Sequence, residues 1–333
     1  MNSVIEVAAP QFWMGGVLAR DLVQFSDDPA CLADGGFWAI STTYEGEFRA
    51  AKFASISSEP FPPASSNEKI DGKWQSNTSQ NEYMNYVEKI REEIASGGVY
   101  QVNACRRLSI KSSATLDLAF ANILHSNPAP FASYLRFNDF EIASASPELF
   151  LTRKGNQIKT SPIKGTKRSA NEKFGIKDRA ENVMIVDLMR NDLGQICIPG
   201  SIAVPDLLRD EEHPGLSHLV SDVTGELREG ISWSEILKAL LPAGSISGAP
   251  KSAAKRIISE LEPTPRDTYC GVMGWVHGDQ ALLSVAIRTF WRDGSYLHFG
   301  TGAGITWSSD PQAEWEETQL KAERLISIVG GEL

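Results

Sequence analysis

The sequence predicts an α+β fold built on antiparallel sheet. Two patterns carry that expectation. Strand-like runs come in clusters separated by single helices, with no regular β-α-β alternation. Residues 268–307 then read as a meander of strands, with turns at Gly278-Asp279 and Asp293-Gly294. The composition suits such a fold: of 333 residues, 42% are hydrophobic and 22% charged, enough apolar side chains for a sizeable core.

Taken in order, the first 56 residues hold strand-like runs such as Gly36-Phe37-Trp38-Ala39-Ile40 and are too few for a separate domain. Residues 57–80 are rich in Pro, Ser and polar side chains and read as a surface connection. The expected division is therefore 1–77, a short N-terminal segment with its linker packing on the core, and 78–333, the domain that carries the chemistry. Ser79 and Glu82 form a capping box, Tyr83, Val87, Ile90 and Ile94 share one helical face, and Gly97-Gly98 stop the helix. A strand is expected over 99–110, short strands over 130–161 and a helix over 177–193. Ser232 and Glu235 cap another helix, Pro250 fits the first turn of the next, and Asp310-Pro311 open a long final helix.

Charge and motif arithmetic excludes several function classes. With 32 Lys plus Arg against 42 Asp plus Glu, the net charge is −10, which argues against nucleic acid or an anionic membrane as partner. No run approaches the ~18 apolar residues of a membrane span, and Met1–Glu6 lacks the basic-then-apolar pattern of a signal peptide. Cys31, Cys105, Cys197 and Cys270 form no C-x-x-C pair, which suits reduced thiols in the cytoplasm. The histidines show no zinc-hydrolase spacing, and Ile305 stands where a dinucleotide fingerprint starting at Gly300 would need glycine.

Four groups of residues are candidates for chemistry. Glu314, Glu317 and Lys321 share one face of the final helix, and Asp178 and Glu181 share a face of the 177–193 helix. Such paired carboxylates either bind a hard divalent cation, most simply Mg²⁺, or form two solvated faces. Gly300-Thr301-Gly302-Ala303-Gly304 reads as a turn at a strand end, or as backbone amides set to approach an anion. Lys164, in Pro162-Ile163-Lys164-Gly165-Thr166, is a surface lysine unless burial or a metal keeps part of it as neutral amine. Glu148, in Ser146-Pro147-Glu148, precedes it on the neighbouring strand region.

Read in order, these pieces form a series. Gly98-Val99-Tyr100-Gln101-Val102-Asn103 comes first, then Ser146-Pro147-Glu148, Pro162–Thr166 and Asp178-Arg179-Ala180-Glu181-Asn182. Asp187-Leu188-Met189-Arg190-Asn191-Asp192, His218-Leu219-Val220-Ser221 and Gly244-Ser245-Ile246-Ser247-Gly248-Ala249-Pro250-Lys251 follow. Ala286-Ile287-Arg288-Thr289, Gly302-Ala303-Gly304 and Glu314-Trp315-Glu316-Glu317 close it. The series, over roughly 78–330, resembles the chorismate-utilising enzymes: anthranilate and aminodeoxychorismate synthase components I and the isochorismate and salicylate synthases.

The resemblance implies two packed antiparallel sheets with helices outside. It assigns Glu181 and Glu317 to Mg²⁺, with Glu314 a further or water-mediated ligand. It places Gly165, Thr166, Tyr269, Arg288, Gly302, Ala303, Gly304 and Lys321 around chorismate, with His218 positioning groups near ring C2. An arginine fork and glycine amides suit a dianion, and acidic side chains beside a dianion need a cation between them. Gln101 stands where water-adding members carry a basic lysine, which disfavours isochorismate and salicylate synthesis. Lys164 stands where anthranilate synthases typically have alanine and aminodeoxychorismate synthases have lysine. The implied reaction is amination of chorismate at C4 by ammonia, giving 4-amino-4-deoxychorismate for p-aminobenzoate and folate synthesis. Lys164 would be the nucleophile, and Glu148 the acid for the departing hydroxide. No G-x-C-x-G turn surrounds any cysteine, so ammonia is expected from a separate glutamine amidotransferase subunit or from solution. Anthranilate synthesis is the alternative enzyme reading, and a non-catalytic chorismate-binding regulator the alternative outside catalysis. The segment before residue 78 is shorter than in full-length members.

Overall fold

The computed structural model describes residues 9–167, 172–213 and 216–333. Met1–Glu6 and the side chain of Thr166 lie outside the described part. The fold is α+β, a large antiparallel sheet with helices against it. Backbone hydrogen bonds link 18 strands into one continuous network rather than leaving two sheets apart, and a small parallel pair joins Ile70–Lys73 to Gly330–Glu332.

The expected elements form where local chemistry sets their ends. Ser79 and Glu82 make a reciprocal capping box on the Gln80–Ala95 helix, whose Tyr83, Tyr86, Val87 and Ile90 are buried. Ser232 and Glu235 do the same for Trp233–Leu240. Asp310 accepts from the Ala313 amide at the start of Pro311–Val329, with Pro311 in the first turn. Pro250 sits one residue earlier than expected, as the cap before Lys251–Leu261. The meander appears as Val272–His277, Gln280–Val285, Thr289–Asp293 and Tyr296–Ile305.

The N-terminal strands are woven into the sheet. Phe37–Thr42 pairs along its whole length with Val272–His277, and Gln11–Met14 pairs with Phe131–Phe137. The strands Gln101–Lys111 and Tyr296–Ile305 run side by side from Lys111 opposite Tyr296 to Val102 opposite Ile305. That pair crosses between two cores. Leu108, Ile110, Leu297 and Phe299 belong to a cluster with Phe120 and Tyr134, whereas Val102, Ala104, Ala303 and Ile305 belong to one with Trp38, Tyr83 and Ile185. Gln101 and Gly302–Gly304 therefore sit at the end of the pair that faces the larger core.

One local expectation is corrected here. Gly302, Ala303 and Gly304 form no turn; they are interior to Tyr296–Ile305, opposite Cys105, Ala104 and Asn103. Glycine at 302 is required for close backbone approach, and glycine at 304 leaves room for the Gln101 amide. A Cβ on Gly302 would stand 2.6 Å from the Ala104 carbonyl oxygen, and one on Gly304 would stand 2.6 Å from Gln101 Nε2.

Candidate active site

Lys164 lies in the strand Ile163–Lys167, which pairs with Leu216–Glu226. Ile163 faces Val220 and Thr166 faces His218, so one extra residue is accommodated between them. This bulge turns on Gly165, at φ 83°, where a Cβ would stand 2.9 Å from the Asp178 side chain. Lys164 is thereby released from regular pairing, and its Nζ donates to the Ser245 carbonyl at 2.9 Å. Burial pushes its pKa down; the carboxylates of Glu181, Glu148 and Glu317 act against that, and Lys321 adds to it.

Glu148 follows Pro147 at the edge of the strand Leu149–Lys154 and is 4% exposed. Its backbone is fixed on both sides: its amide donates to Ser146 Oγ at 3.2 Å, and its carbonyl accepts from the Val285 amide at 3.1 Å. Burial raises its pKa. Hydrogen bonds from Ser245 and the Ile163 backbone, and the Lys164 charge, pull the other way without cancelling it. Burial thus shifts both groups toward their uncharged forms, the carboxylic acid and the amine that proton donation and nucleophilic attack require.

Two helices bring in the remaining carboxylates. Ile176–Gly194 begins beside Gly165, where Asp178 Oδ2 accepts from the Gly175 amide at 2.9 Å, and its next turn presents Glu181. Gln101 Nε2 donates to Glu181 Oε2 at 3.1 Å, while Gln101 Oε1 is buried with no partner among the described residues. From the final helix, Glu314 is 6% exposed, and burial raises its pKa, with the Glu317 charge adding to the rise. Glu317 Oε1 pairs with Lys321 Nζ at 2.6 Å, and Lys321 also donates to the Gly302 carbonyl at 2.9 Å. Lys177, which sequence reasoning passed over, stands between the helices: its Nζ is 3.8 Å from Glu181 Oε1 and 4.0 Å from Glu314 Oε1.

The structure thus gathers Gln101, Glu148, Lys164, Gly165, Glu181, Gly302, Gly304, Glu314, Glu317 and Lys321. His218 is buried and partnered on the Leu216–Glu226 strand, opposite Thr166. Ala303 is fully buried between its glycines. Arg288 sits at φ 53° between two strands of the meander, its carbonyl held by the Ala145 amide. Among the described residues no carboxylate or carbonyl engages its guanidinium; burial and the neighbouring Arg324 lower its pKa. Tyr269 packs its ring on Gly300, two residues before Gly302 on the same strand, and lines a cavity with Cys105, Arg266 and Trp291.

Sequence reasoning also missed Ser245, whose carbonyl holds Lys164 and whose side chain acts on Glu148. The Gly244–Lys251 run was visible, but nothing local in it signals that role. Among the described residues, no three His, Cys, Asp or Glu side chains converge as a ready metal cage. The donor chemistry nevertheless fits a hard divalent cation, since Glu181 and Glu314 already share one cation, the Lys177 ammonium, and offer only oxygen.

Sequence and structure comparisons agree on what this arrangement belongs to. The profile of chorismate binding enzymes matches residues 37–327. Aminodeoxychorismate synthase component 1 of Salmonella typhimurium is 38% identical over 270 residues, 78% of this chain and 60% of that protein. Anthranilate synthase component 1 of Aquifex aeolicus is also 38% identical, over 269 residues, 77% of this chain and 54% of that protein. This chain thus spans somewhat over half the length of these relatives. Anthranilate synthase component I from Streptococcus pneumoniae superposes with a TM-score of 0.82 at 23% identity, over 97% of this chain and 93% of that one, and shares its fold. The profile covers most of the sequence and the identity extends over more than three quarters of it, so the chain belongs to the chorismate-binding enzyme family.

Proposed function

We propose that this protein is the synthase component of an aminodeoxychorismate synthase: it aminates chorismate at C4 with ammonia. The observation that carries the reading is the Lys164–Glu148 pair, in which burial lowers the amine pKa and raises the carboxyl pKa. Overall identity does not choose between amination and anthranilate formation, because relatives of both kinds are 38% identical. Lys164 favours amination, since it supplies a nucleophile that ring aromatisation does not need.

In this reading the neutral Lys164 amine forms a bond to ring C2. Both conjugated ring double bonds shift, and the C4 hydroxyl leaves as water with the proton of Glu148. Ammonia then bonds to C4, both double bonds shift back, the C2–nitrogen bond breaks to release Lys164 as an amine, and the proton lost by the incoming ammonia restores Glu148. The balance is chorismate plus ammonia giving 4-amino-4-deoxychorismate plus water. Gln101 supports ammonia as nucleophile: its amide cannot deprotonate water, and its buried Oε1 is an acceptor without a donor among the described residues. The guanidinium of Arg288, which no carboxylate engages among the described residues, suits a carboxylate of the substrate. Mg²⁺, held by Glu181 and Glu314 with Glu317, would offset the negative charge of the substrate carboxylate. Ammonia comes from a glutamine amidotransferase subunit, in keeping with relatives named as component 1. A cytoplasmic location fits this chemistry, and no described helix is long and apolar enough to cross a membrane.

The test is to supply chorismate, Mg²⁺ and ammonium and to identify the product by mass. Aminodeoxychorismate retains the enolpyruvyl group, whereas anthranilate forms with loss of pyruvate. Lys164→Ala is expected to lower the amination rate by about 10²-fold or more while chorismate still binds, because the covalent step is lost. Anthranilate as the wild-type product, or an unchanged rate in Lys164→Ala, would return the choice to anthranilate synthesis.

A further inference from the structure

Lys177 is a charged residue of the site for which the proposed chemistry has no use. It lies in the first turn of Ile176–Gly194, and its ammonium is 3.8 Å from Glu181 and 4.0 Å from Glu314, carboxylates carried by two different helices. A further lysine of the site, Lys321, pairs with Glu317. Glu181, Glu314 and Glu317 thus already have cationic partners in the metal-free site. A divalent cation that takes the Glu181 and Glu314 oxygens must therefore exchange with an existing partner, not simply add to the site.

We propose that Lys177 is an exchangeable internal cation. It bridges Glu181 and Glu314 in the metal-free site and is displaced to solvent when a divalent cation takes the same oxygens. The inference rests on the reading that these carboxylates hold the metal. Like charges cannot share two carboxylate oxygens, so one must leave. The Lys177 side chain is 50% exposed, against 16% for Glu181 and 8% for Glu314, so the lysine is the partner free to move. Its flexible four-carbon arm can turn outward without moving the helix. Lys177 therefore competes with the metal and sets its affinity, while touching neither substrate nor reacting atoms.

The experiment measures Mn²⁺ binding without chorismate, by calorimetry and by the spin-resonance signal of free Mn²⁺. Lys177→Met is expected to bind Mn²⁺ about three- to fivefold more tightly than wild type, the upper size of an exposed ion-pair interaction. Lys177→Arg, which keeps the charge, should stay within about twofold of wild type. Lys111→Met removes the same net charge at the far end of the Gln101–Lys111 strand and should also stay within about twofold. Equal or weaker binding by Lys177→Met, or equal tightening by Lys111→Met, overturns the proposal. Glu181→Gln separates the two levels of the argument: if it binds Mn²⁺ as wild type does, the assignment of the metal to these carboxylates fails, and the inference with it.

Discussion

At Glu148 and Lys164, burial acts in opposite directions on the two pKa values but toward the same electrical state, neutrality. That state suits the proposed chemistry and costs stability. A carboxyl whose folded pKa is raised keeps its proton to higher pH than in the unfolded chain. The cost is therefore absent below the unfolded pKa and complete above the folded one. Glu148→Gln removes that cost while it removes the acid. It is expected to melt at a higher temperature than wild type at pH 8, to match wild type near pH 4, and to lose about 10²-fold or more in amination. Calorimetry at the two pH values checks this. A variant less stable than wild type at pH 8 would mean that the carboxylate is a favourable part of the fold.

Among the elements, the junction of the Ile163–Lys167 strand with the Ile176–Gly194 helix positions the most chemistry. Gly165 at φ 83° makes the bulge that frees Lys164, and Asp178 fills the space beside it while accepting from the Gly175 amide at the helix start. Gly165→Ala is expected to cost about 1–2 kcal/mol from the left-handed backbone alone. The added Cβ also pushes on Asp178, so Lys164 moves and turnover falls by about 10²-fold. Asp178→Ala loses only the helix-start hydrogen bond, about 1 kcal/mol, and keeps the space open. Urea unfolding and turnover on both variants separate the two effects. Equal activity losses in the two would argue against the bulge geometry as the cause.

For the whole molecule, the short N-terminal segment is part of the sheet. Phe37–Thr42 is the partner of Val272–His277, and Phe12, Met14, Trp38 and Ile40 are buried in the larger core. The boundary expected at residue 78 thus separates the linker from the rest in sequence, while the strands on either side are hydrogen-bonded. A chain beginning at residue 78 leaves the Val272–His277 edge open and the faces under Phe12 and Trp38 exposed to water. It is expected to be insoluble or to lack a cooperative thermal transition, as measured by circular dichroism. A soluble, cooperatively folding fragment with chorismate binding would show that 78–333 is an independent unit.

The sequence by itself determined what is settled within a few residues of chain. Ser79 with Glu82, Ser232 with Glu235 and Asp310 with Ala313 fix helix starts through hydrogen bonds three residues apart, and the meander turns follow from Gly278 and Gly294. It also carried the ordered residues by which the chain's family could be read. The tertiary structure alone decided the state of those residues. Gly302–Gly304 became strand because Gln101–Lys111 lies against it, not through any local signal. Lys164 meets Ser245, 81 residues away, Gln101 meets Glu181, 80 residues away, and Lys177 reaches a carboxylate on another helix. Burial and charge pairing depend on distance in space, and these two effects lower the Lys164 pKa, raise that of Glu148 and bring Lys177 between two helices.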